Sequence, residues 1–123
     1  MTRRECLRLL RMTQFGWLVL PDRVFLALWP IEYLVDDYRL LLAVMIGPEQ
    51  RASLFGTVAT IRIDAYDADR ATGSSVTVIG NLTPLAEKDA GRLRQWRAGS
   101  ESGVAFAEFR IWWLAGSRGY RRR

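Results

Sequence analysis

The spacing of hydrophobic and polar positions changes along the chain, and each change predicts an element of secondary structure. Between residues 3 and 14, apolar side chains recur among arginines at the spacing of an amphipathic helix. Thr2 and Glu5, three residues apart, form a capping-box pattern at its start. Short runs rich in aromatic, leucine and β-branched residues follow and favour strands. Strands are predicted over 15–20, 23–33, 39–45, 57–65, 75–82 and 106–114, and further helices over 49–55 and 87–96.

Proline and glycine residues divide this pattern into short elements. Pro30 lies inside the second predicted strand. Because proline has no N–H to donate to a ladder, it marks an edge, a bulge or the end of the strand. Strands in this order, with helices at one end and between them, predict an α+β fold: a small six-stranded antiparallel β-barrel with peripheral helices. We expect a single domain over residues 1–118 and a basic C-terminal tail over 119–123.

The composition fits one domain with a real core. The chain has 123 residues, of which 50% are hydrophobic. No apolar run approaches the roughly 20 residues that cross a bilayer, and no apolar signal-peptide core is present at the N-terminus. Cys6 is the single cysteine, so an internal disulfide cannot form. We therefore expect a cytoplasmic protein without a membrane partner.

The net charge is +5, and part of the positive charge lies at the C-terminus, on Arg118 and the three arginines at positions 121–123. A basic tail of this kind could neutralise nucleic-acid phosphates. No helix-turn-helix, zinc-finger or aromatic RNA-binding pattern accompanies it, so we interpret it as a solvated tail and expect no nucleic-acid partner.

The chain contains no histidine. It therefore lacks the usual general base near neutral pH and the commonest metal ligand, and we expect no metal site. A Ser-His-Asp or Cys-His arrangement cannot form within one chain.

Six short motifs follow one another along the chain. They are Glu5-Cys6-Leu7, Pro30-Ile31-Glu32-Tyr33, Val35-Asp36-Asp37, Gly47, Ile63-Asp64-Ala65-Tyr66-Asp67, and Gly73-Ser74-Ser75-Val76-Thr77-Val78 with Gly80. In this order they resemble the small pyridoxamine 5'-phosphate oxidase-like proteins, the flavin-binding split barrels, from about Thr2 to Arg118. The resemblance implies the split-barrel topology, a homodimer with two pockets at its interface, and an oxidoreductase that uses FMN or a deazaflavin.

The residues that hold the flavin phosphate in that family are replaced here. The family has an arginine-threonine pair late in the third strand and a lysine two residues after a glycine, because a doubly charged phosphate needs cations. The matching positions are Ala43, Val44 and Glu49. Arg51 or Arg62 could supply a compensating cation. We therefore predict that ordinary flavin binding is lost and that no cofactor is used, with FMN or a deazaflavin as the alternative.

Part of the family's pocket frame remains. Tyr33 and Trp96 match pocket-lining residues, and Trp29 and Ser74 complete the predicted substrate-binding set. Glu32 and Tyr33 are the candidate catalytic residues. Each also has a structural interpretation: Tyr33 as a core tyrosine with a satisfied hydroxyl, Trp96 as a helix-end residue packed on the barrel, and Trp29 as a core or interface residue. For Glu32, an ion pair with a nearby arginine is the favoured interpretation.

Trp112 and Trp113 are adjacent in the last predicted strand. Because successive strand residues face opposite sides, we expect one to face the barrel and the other a partner surface or solvent.

Three functions remain open. The first is a cofactor-independent enzyme that cyclises or isomerises an apolar substrate, such as a polyketide intermediate, by orientation in an aromatic pocket. The alternative is the flavin- or deazaflavin-dependent oxidoreductase that the resemblance implies. The second alternative is a non-catalytic protein that binds an apolar ligand.

Overall fold

The computed structural model describes residues 1–22 and 25–120. Within these residues the chain forms three helices and six strands, and the strands close into one antiparallel barrel in the order β1-β2-β3-β6-β5-β4. The predicted α+β barrel is therefore confirmed. The elements are α1 (Arg3–Thr13), β1 (Phe15–Asp22), β2 (Phe25–Asp36), β3 (Arg39–Met45), α2 (Pro48–Arg51), β4 (Val58–Asp67), β5 (Thr72–Pro84), α3 (Glu87–Trp96) and β6 (Val104–Tyr120).

Helix α1 begins as its capping pattern predicts. The backbone N–H of Glu5 donates to the Thr2 hydroxyl oxygen at 3.2 Å, which satisfies one of the free amides of the first turn. The apolar stripe of the helix buries Cys6 and Leu10 among inward-facing residues of the barrel. Helix α1 thus covers the barrel interior at one end. None of the helices in the described residues is long and apolar enough to cross a bilayer.

Side chains fill the barrel interior. Along each strand, alternate residues point inward, and most of the inward residues are aliphatic. A filled interior of this size stabilises the fold by burial, and it holds Tyr33 with no exposed surface. The inward cluster includes Leu18, Ile31, Tyr33, Leu40, Leu42, Val44, Ile61, Ile63, Val76, Val78, Leu82, Ala107 and Phe109.

Pro30 lies at an edge, as one interpretation of its position predicts. It is paired with Trp17 of β1, whereas the pairing of β2 with β3 covers only Ile31 to Asp36. The missing N–H of the proline therefore removes no bond from the β2–β3 ladder.

Several predicted boundaries differ from the structure. The last strand extends to Tyr120, because β5 begins at Thr72 and pairs with residues 119 and 120. Residues 119 and 120 therefore belong to the barrel and not to a tail, while residues 121–123 lie outside the described residues. The helix predicted over 49–55 is shorter, and the chain continues in turns to Gly56, which has a φ of 76°.

Neither Trp112 nor Trp113 faces the barrel interior. The expectation that one of the two side chains points inward is therefore wrong. Ile79 pairs with Trp113 and Gly80 pairs with Ile111, which leaves Trp112 as an extra residue in β6. Such a β-bulge breaks the alternation of faces and lets both tryptophan side chains stay exposed, at 57% and 51%.

The bulge depends on Gly80 of the neighbouring strand. A Cβ at this position would overlap the Arg110 carbonyl oxygen and would lie 2.8 Å from Cε1 of the fully buried Phe109. Because both neighbours belong to the barrel wall, neither can move aside cheaply.

We expect Gly80→Ala to lower the free energy of unfolding by about 3 kcal/mol, the upper end of the usual cost of overpacking. Gly91→Ala in the middle of α3 is the matched control, since a Cβ there meets nothing within 4 Å. This control should stabilise the protein by about 1 kcal/mol through helix propensity. Urea unfolding of both variants measures the difference. Equal effects at the two positions would contradict the close contact at the bulge.

Candidate functional site

One row of side chains crosses the outer surface of four strands. Phe15 pairs with Glu32, Glu32 with Ala43, and Ala43 with Phe106. Directly opposed residues of an antiparallel pair project to the same face, so these side chains are neighbours. Ala43 and Phe106 belong to an outer apolar cluster that also contains Trp96 of α3. We define the outer-face site as Phe15, Glu32, Ala43, Trp96, Arg97 and Phe106.

A buried ion pair lies in this site. The Nη2 and Nε atoms of Arg97 donate to Oε1 of Glu32 at 3.0 and 3.3 Å. The Arg97 side chain is only 5% exposed, whereas the Glu32 side chain is 32% exposed. The ion-pair interpretation of Glu32 is therefore confirmed, and a catalytic role for its carboxylate stays a prediction.

Helix α3 sets the position of Arg97. The helix ends at Trp96, which packs against the outer cluster of Leu41, Ala43 and Leu93. Arg97 leaves the helix in an extended conformation with φ −77° and ψ 140°. Its backbone N–H donates to the Leu93 carbonyl at 2.9 Å and closes the last turn. The turn geometry directs the arginine side chain back across the sheet toward β2.

A cluster of charges fixes α3 on the barrel. The Arg39 guanidinium lies 2.8 Å from Asp89 of α3 and 2.9 Å from Glu108 of β6, and it also contacts Asp36 of β2. Hydrogen bonds from Arg39 hold the pKa of Asp36 and of Asp89 below its usual value. These pairs keep both carboxylates ionised and tie the helix to the strands.

The two candidate catalytic residues are not brought together. Tyr33 follows Glu32 in β2 and therefore faces the barrel interior, where it is fully buried. Its hydroxyl donates to the Leu10 carbonyl of α1 at 2.7 Å, and burial raises the pKa of its phenol. Tyr33 is thus a core tyrosine with a satisfied hydroxyl, on the opposite face of β2 from the outer-face site.

Trp29 and Ser74 lie in separate places. Trp29 is half-buried against the core and lines a small cleft of about 60 Å³ near α2. Ser74 lines a groove of about 370 Å³ between Tyr66 and Ser117, at the end where β4 turns into β5. Of the predicted set, the outer-face site therefore combines Glu32 and Trp96.

The phosphate-clamp positions do not fit a doubly charged phosphate. Ala43 and Val44 are fully buried on opposite faces of β3, and neither offers a donor. Glu49 is exposed on α2 and would repel an anion. Arg51 is half-buried, and its buried Nε has no hydrogen-bond partner among the described residues. Arg62 is exposed and lies 3.4 Å from Asp64.

Comparisons with known proteins agree with this architecture. The family model described as pyridoxamine 5'-phosphate oxidase matches residues 2–105. The chain belongs to the pyridoxamine 5'-phosphate oxidase family. The search of curated proteins gives no match.

Solved structures of this split-barrel type superpose closely on the chain. An FAD binding protein from Mycobacterium smegmatis has a TM-score of 0.77 and 18% identity, and the match covers 96% of this chain and 95% of that one. A FAD-binding protein from Mesorhizobium loti has a TM-score of 0.69 and 20% identity, with 96% and 94% covered. The FAD and heme binding protein from Mycobacterium smegmatis has a TM-score of 0.71 and 16% identity, with 99% and 74% covered. At these identities the likeness establishes the split-barrel fold.

Sequence patterns did not identify Arg97 as part of the site. Residues 97–103 have the small and polar composition of a mobile loop, which hides the role of their first member. The signal available was Glu32 itself, because a carboxylate on a largely apolar strand needs a cation nearby. Nothing local indicates that this cation lies 65 residues further along the chain.

We expect Tyr33→Phe to lower the free energy of unfolding by about 1 kcal/mol at neutral pH, because the Leu10 carbonyl loses its phenolic donor. The folded state keeps the Tyr33 phenol neutral, since its pKa is raised, while the unfolded chain ionises it above about pH 10. Wild-type stability should therefore fall above pH 10, and the difference from Tyr33→Phe should shrink there. Chemical unfolding at pH 7 and above pH 10 measures both terms. A difference that widened at high pH would contradict this role.

Proposed function

We propose that this chain binds a flavin, holding mainly its ring system on the outer-face site, and serves as an oxidoreductase of its family. The observation that carries the proposal is the aromatic outer face beside a buried guanidinium on a barrel whose structural relatives include FAD binding proteins. A bound flavin would supply electron or hydride transfer.

The aromatic side of the site supports contact with a planar ring. Phe15 and Trp17 form an edge-to-face pair with centroids 6.2 Å apart and remain partly exposed. Trp96 packs against the outer cluster that contains Ala43. Apolar and aromatic surfaces of this kind bind and orient flat ligands through contact area and exclude water from one face.

The residues at the usual phosphate-clamp positions would hold a flavin phosphate only weakly. Ala43 and Val44 supply no donors, and Glu49 carries a negative charge. Arg51 is the available cation on α2. The phosphate of FMN should therefore contribute little to affinity, in contrast to a clamp built from charge-assisted hydrogen bonds.

The same clamp positions favour a second candidate. A chain that has exchanged phosphate-binding residues for Ala43, Val44 and Glu49 could use its aromatic surface without a cofactor, to cyclise or isomerise an apolar intermediate such as a polyketide. Because side chains fill the barrel interior, such a substrate would also have to lie on the outer face. The same surface could instead bind an apolar ligand without catalysis.

Titration with riboflavin, FMN and FAD, followed by flavin fluorescence, tests the proposal. We expect binding of all three with similar affinity, because the ring is their shared part and the usual phosphate clamp is missing. Glu49→Lys, at an exposed position, should tighten FMN about tenfold relative to riboflavin if this position approaches the phosphate.

Riboflavin is the matched control in this titration, since it lacks only the phosphate of FMN. If none of the three flavins binds, the flavin proposal is wrong and a cofactor-independent function becomes the better explanation. If FMN binds far more tightly than riboflavin in the wild type, the conclusion about the clamp is wrong.

We also propose that the chain forms a homodimer through the outer face of the β1–β2 hairpin. We define this hairpin face as Phe15, Trp17, Leu26 and Leu28. Its side chains are apolar and between 42% and 70% exposed, and the neighbouring Phe25 is 76% exposed. Exposed aromatic and aliphatic surface of this kind is typical of an interface. A second copy placed there would also cover Phe15 and enclose the outer-face site.

Leu28→Arg should shift the protein from dimer to monomer, because it places a charge in the centre of the proposed interface. Met12→Arg is the control, since Met12 is also well exposed, at 70% against 59% for Leu28, but belongs to α1 and not to the hairpin. Light scattering measures the mass of each variant against the 14.1 kDa monomer. A wild-type protein that is monomeric at working concentration would refute the dimer.

A further inference from the structure

We propose that Arg97 is the anion-binding group of the outer-face site and that the Glu32 carboxylate occupies the place of the anion until a ligand displaces it. The ligand class is a small molecule that carries a phosphate or carboxylate beside a flat ring. This inference rests on the proposed function only in assuming that the outer face binds a ligand.

The hydrogen bonding of Arg97 is incomplete in a way that suits a larger anion. A guanidinium offers five N–H donors in a planar fork, which matches the two oxygens of a carboxylate or phosphate. Here Nε and Nη2 both donate to the single Oε1 of Glu32, and Nη1 makes only a long contact of 3.5 Å with the Ser100 carbonyl. An anion that presents two oxygens to the fork would satisfy these donors better.

The burial of the pair is unequal, which gives an anion a way in. The Arg97 side chain is 5% exposed and the Glu32 side chain 32% exposed, so the carboxylate lies between the guanidinium and solvent. Rotation of Glu32 toward water would uncover the guanidinium without moving the backbone of β2. The arginine itself stays fixed by the end of α3.

The ion pair that Arg94 of α3 forms with Glu101 is more exposed to solvent. Arg94 lies 3.0 Å from Glu101, at the same distance as the Arg97–Glu32 pair, but the side chains are 43% and 55% exposed. Arg94 also keeps a second carboxylate, Glu87 at 2.9 Å, and water can take the place of Glu101, whereas water cannot fully replace Glu32 around Arg97. Removing Glu32 therefore leaves a buried cation without a counter-charge, which is costly unless an anion from solution takes its place.

The neighbours of the pair indicate the rest of the ligand. Phe15 is the cross-strand neighbour of Glu32 on one side, and Ala43 is its neighbour on the other; Ala43 belongs to the apolar cluster against which Trp96 packs. Ala43 and Phe15 offer no competing donor or charge. A ring next to an anionic group would therefore contact aromatic carbon while its oxygens meet Arg97.

The test compares Glu32→Gln with the matched control Glu101→Gln, using inorganic phosphate and acetate as probes at constant ionic strength. Without a probe, Glu32→Gln should be less stable than the control. Phosphate should raise its melting temperature and bind it at least about tenfold more tightly than it binds wild type or Glu101→Gln, a difference typical of one charge-assisted contact. Acetate in a parallel series shows whether a carboxylate serves as well as a phosphate.

Two further variants decide whether Arg97 is responsible. In Glu32→Gln combined with Arg97→Gln, the gain in phosphate binding should vanish. Glu32→Asp keeps the charge but shortens the side chain by one methylene, so it should show an intermediate gain and remains informative if Glu32→Gln does not fold without an anion. An equal response in Glu32→Gln and Glu101→Gln, no gain in Glu32→Asp, or a gain that survives loss of Arg97 would overturn the proposal.

Flavin titrations separate this inference from the proposed function. Glu32→Gln should raise FMN affinity about tenfold while leaving riboflavin affinity unchanged, because only FMN carries the anion. If no flavin binds any variant but phosphate binds Glu32→Gln through Arg97, the anion site stands and the flavin proposal fails. If flavins bind and Glu32→Gln changes neither FMN nor phosphate affinity, the anion site fails and flavin binding stands.

Discussion

The outer layer of the protein depends on the ion pairs that Arg39 forms with three carboxylates. Its guanidinium joins β3, to which it belongs, with Asp36 of β2, Asp89 of α3 and Glu108 of β6. The side chains involved are mostly buried, so losing one partner would leave charge in a poorly solvated place. Because α3 is held at its N-terminal half by Asp89, its C-terminal end always presents Trp96 and Arg97 to the same part of the sheet. The outer-face site is in this sense a consequence of one arginine that lies outside it.

How far the sequence predicts this structure depends on how local each interaction is. The bounds of β3 and α3 follow from local sequence pattern and the flanking turn residues, and the predicted ranges coincide with the observed ones. The exposure of both Trp112 and Trp113 cannot be predicted from local sequence, because the bulge that causes it depends on Gly80 in another strand. The sequence pattern predicts a shorter β6 because Gly116 and Gly119 are unfavourable in strands, whereas pairing with β5 extends β6 to Tyr120.

The sequence predicts only part of the candidate site. The family resemblance predicts Trp96, and Glu32 stands out as a carboxylate on a largely apolar strand; the structure places both on one face. The resemblance also predicts Tyr33, but its neighbour in sequence faces outward, so it must face inward. Arg97 could not be found, because its partner is distant in sequence and its loop carries no motif. Family membership therefore defines the barrel, while the chemistry of the site depends on a few exchanged side chains.

The strict alternation at Glu32 and Tyr33 limits how this chain can evolve. A single-residue insertion or deletion near the start of β2 would shift the register of the strand and exchange its two faces. The carboxylate would then enter an aliphatic interior, and the phenol would leave the Leu10 carbonyl without its donor. Relatives of this chain should therefore vary in length mainly in the turns between strands. An alignment that places a gap between Pro30 and Asp36 requires a compensating β-bulge in β2, like the one that Trp112 forms in β6.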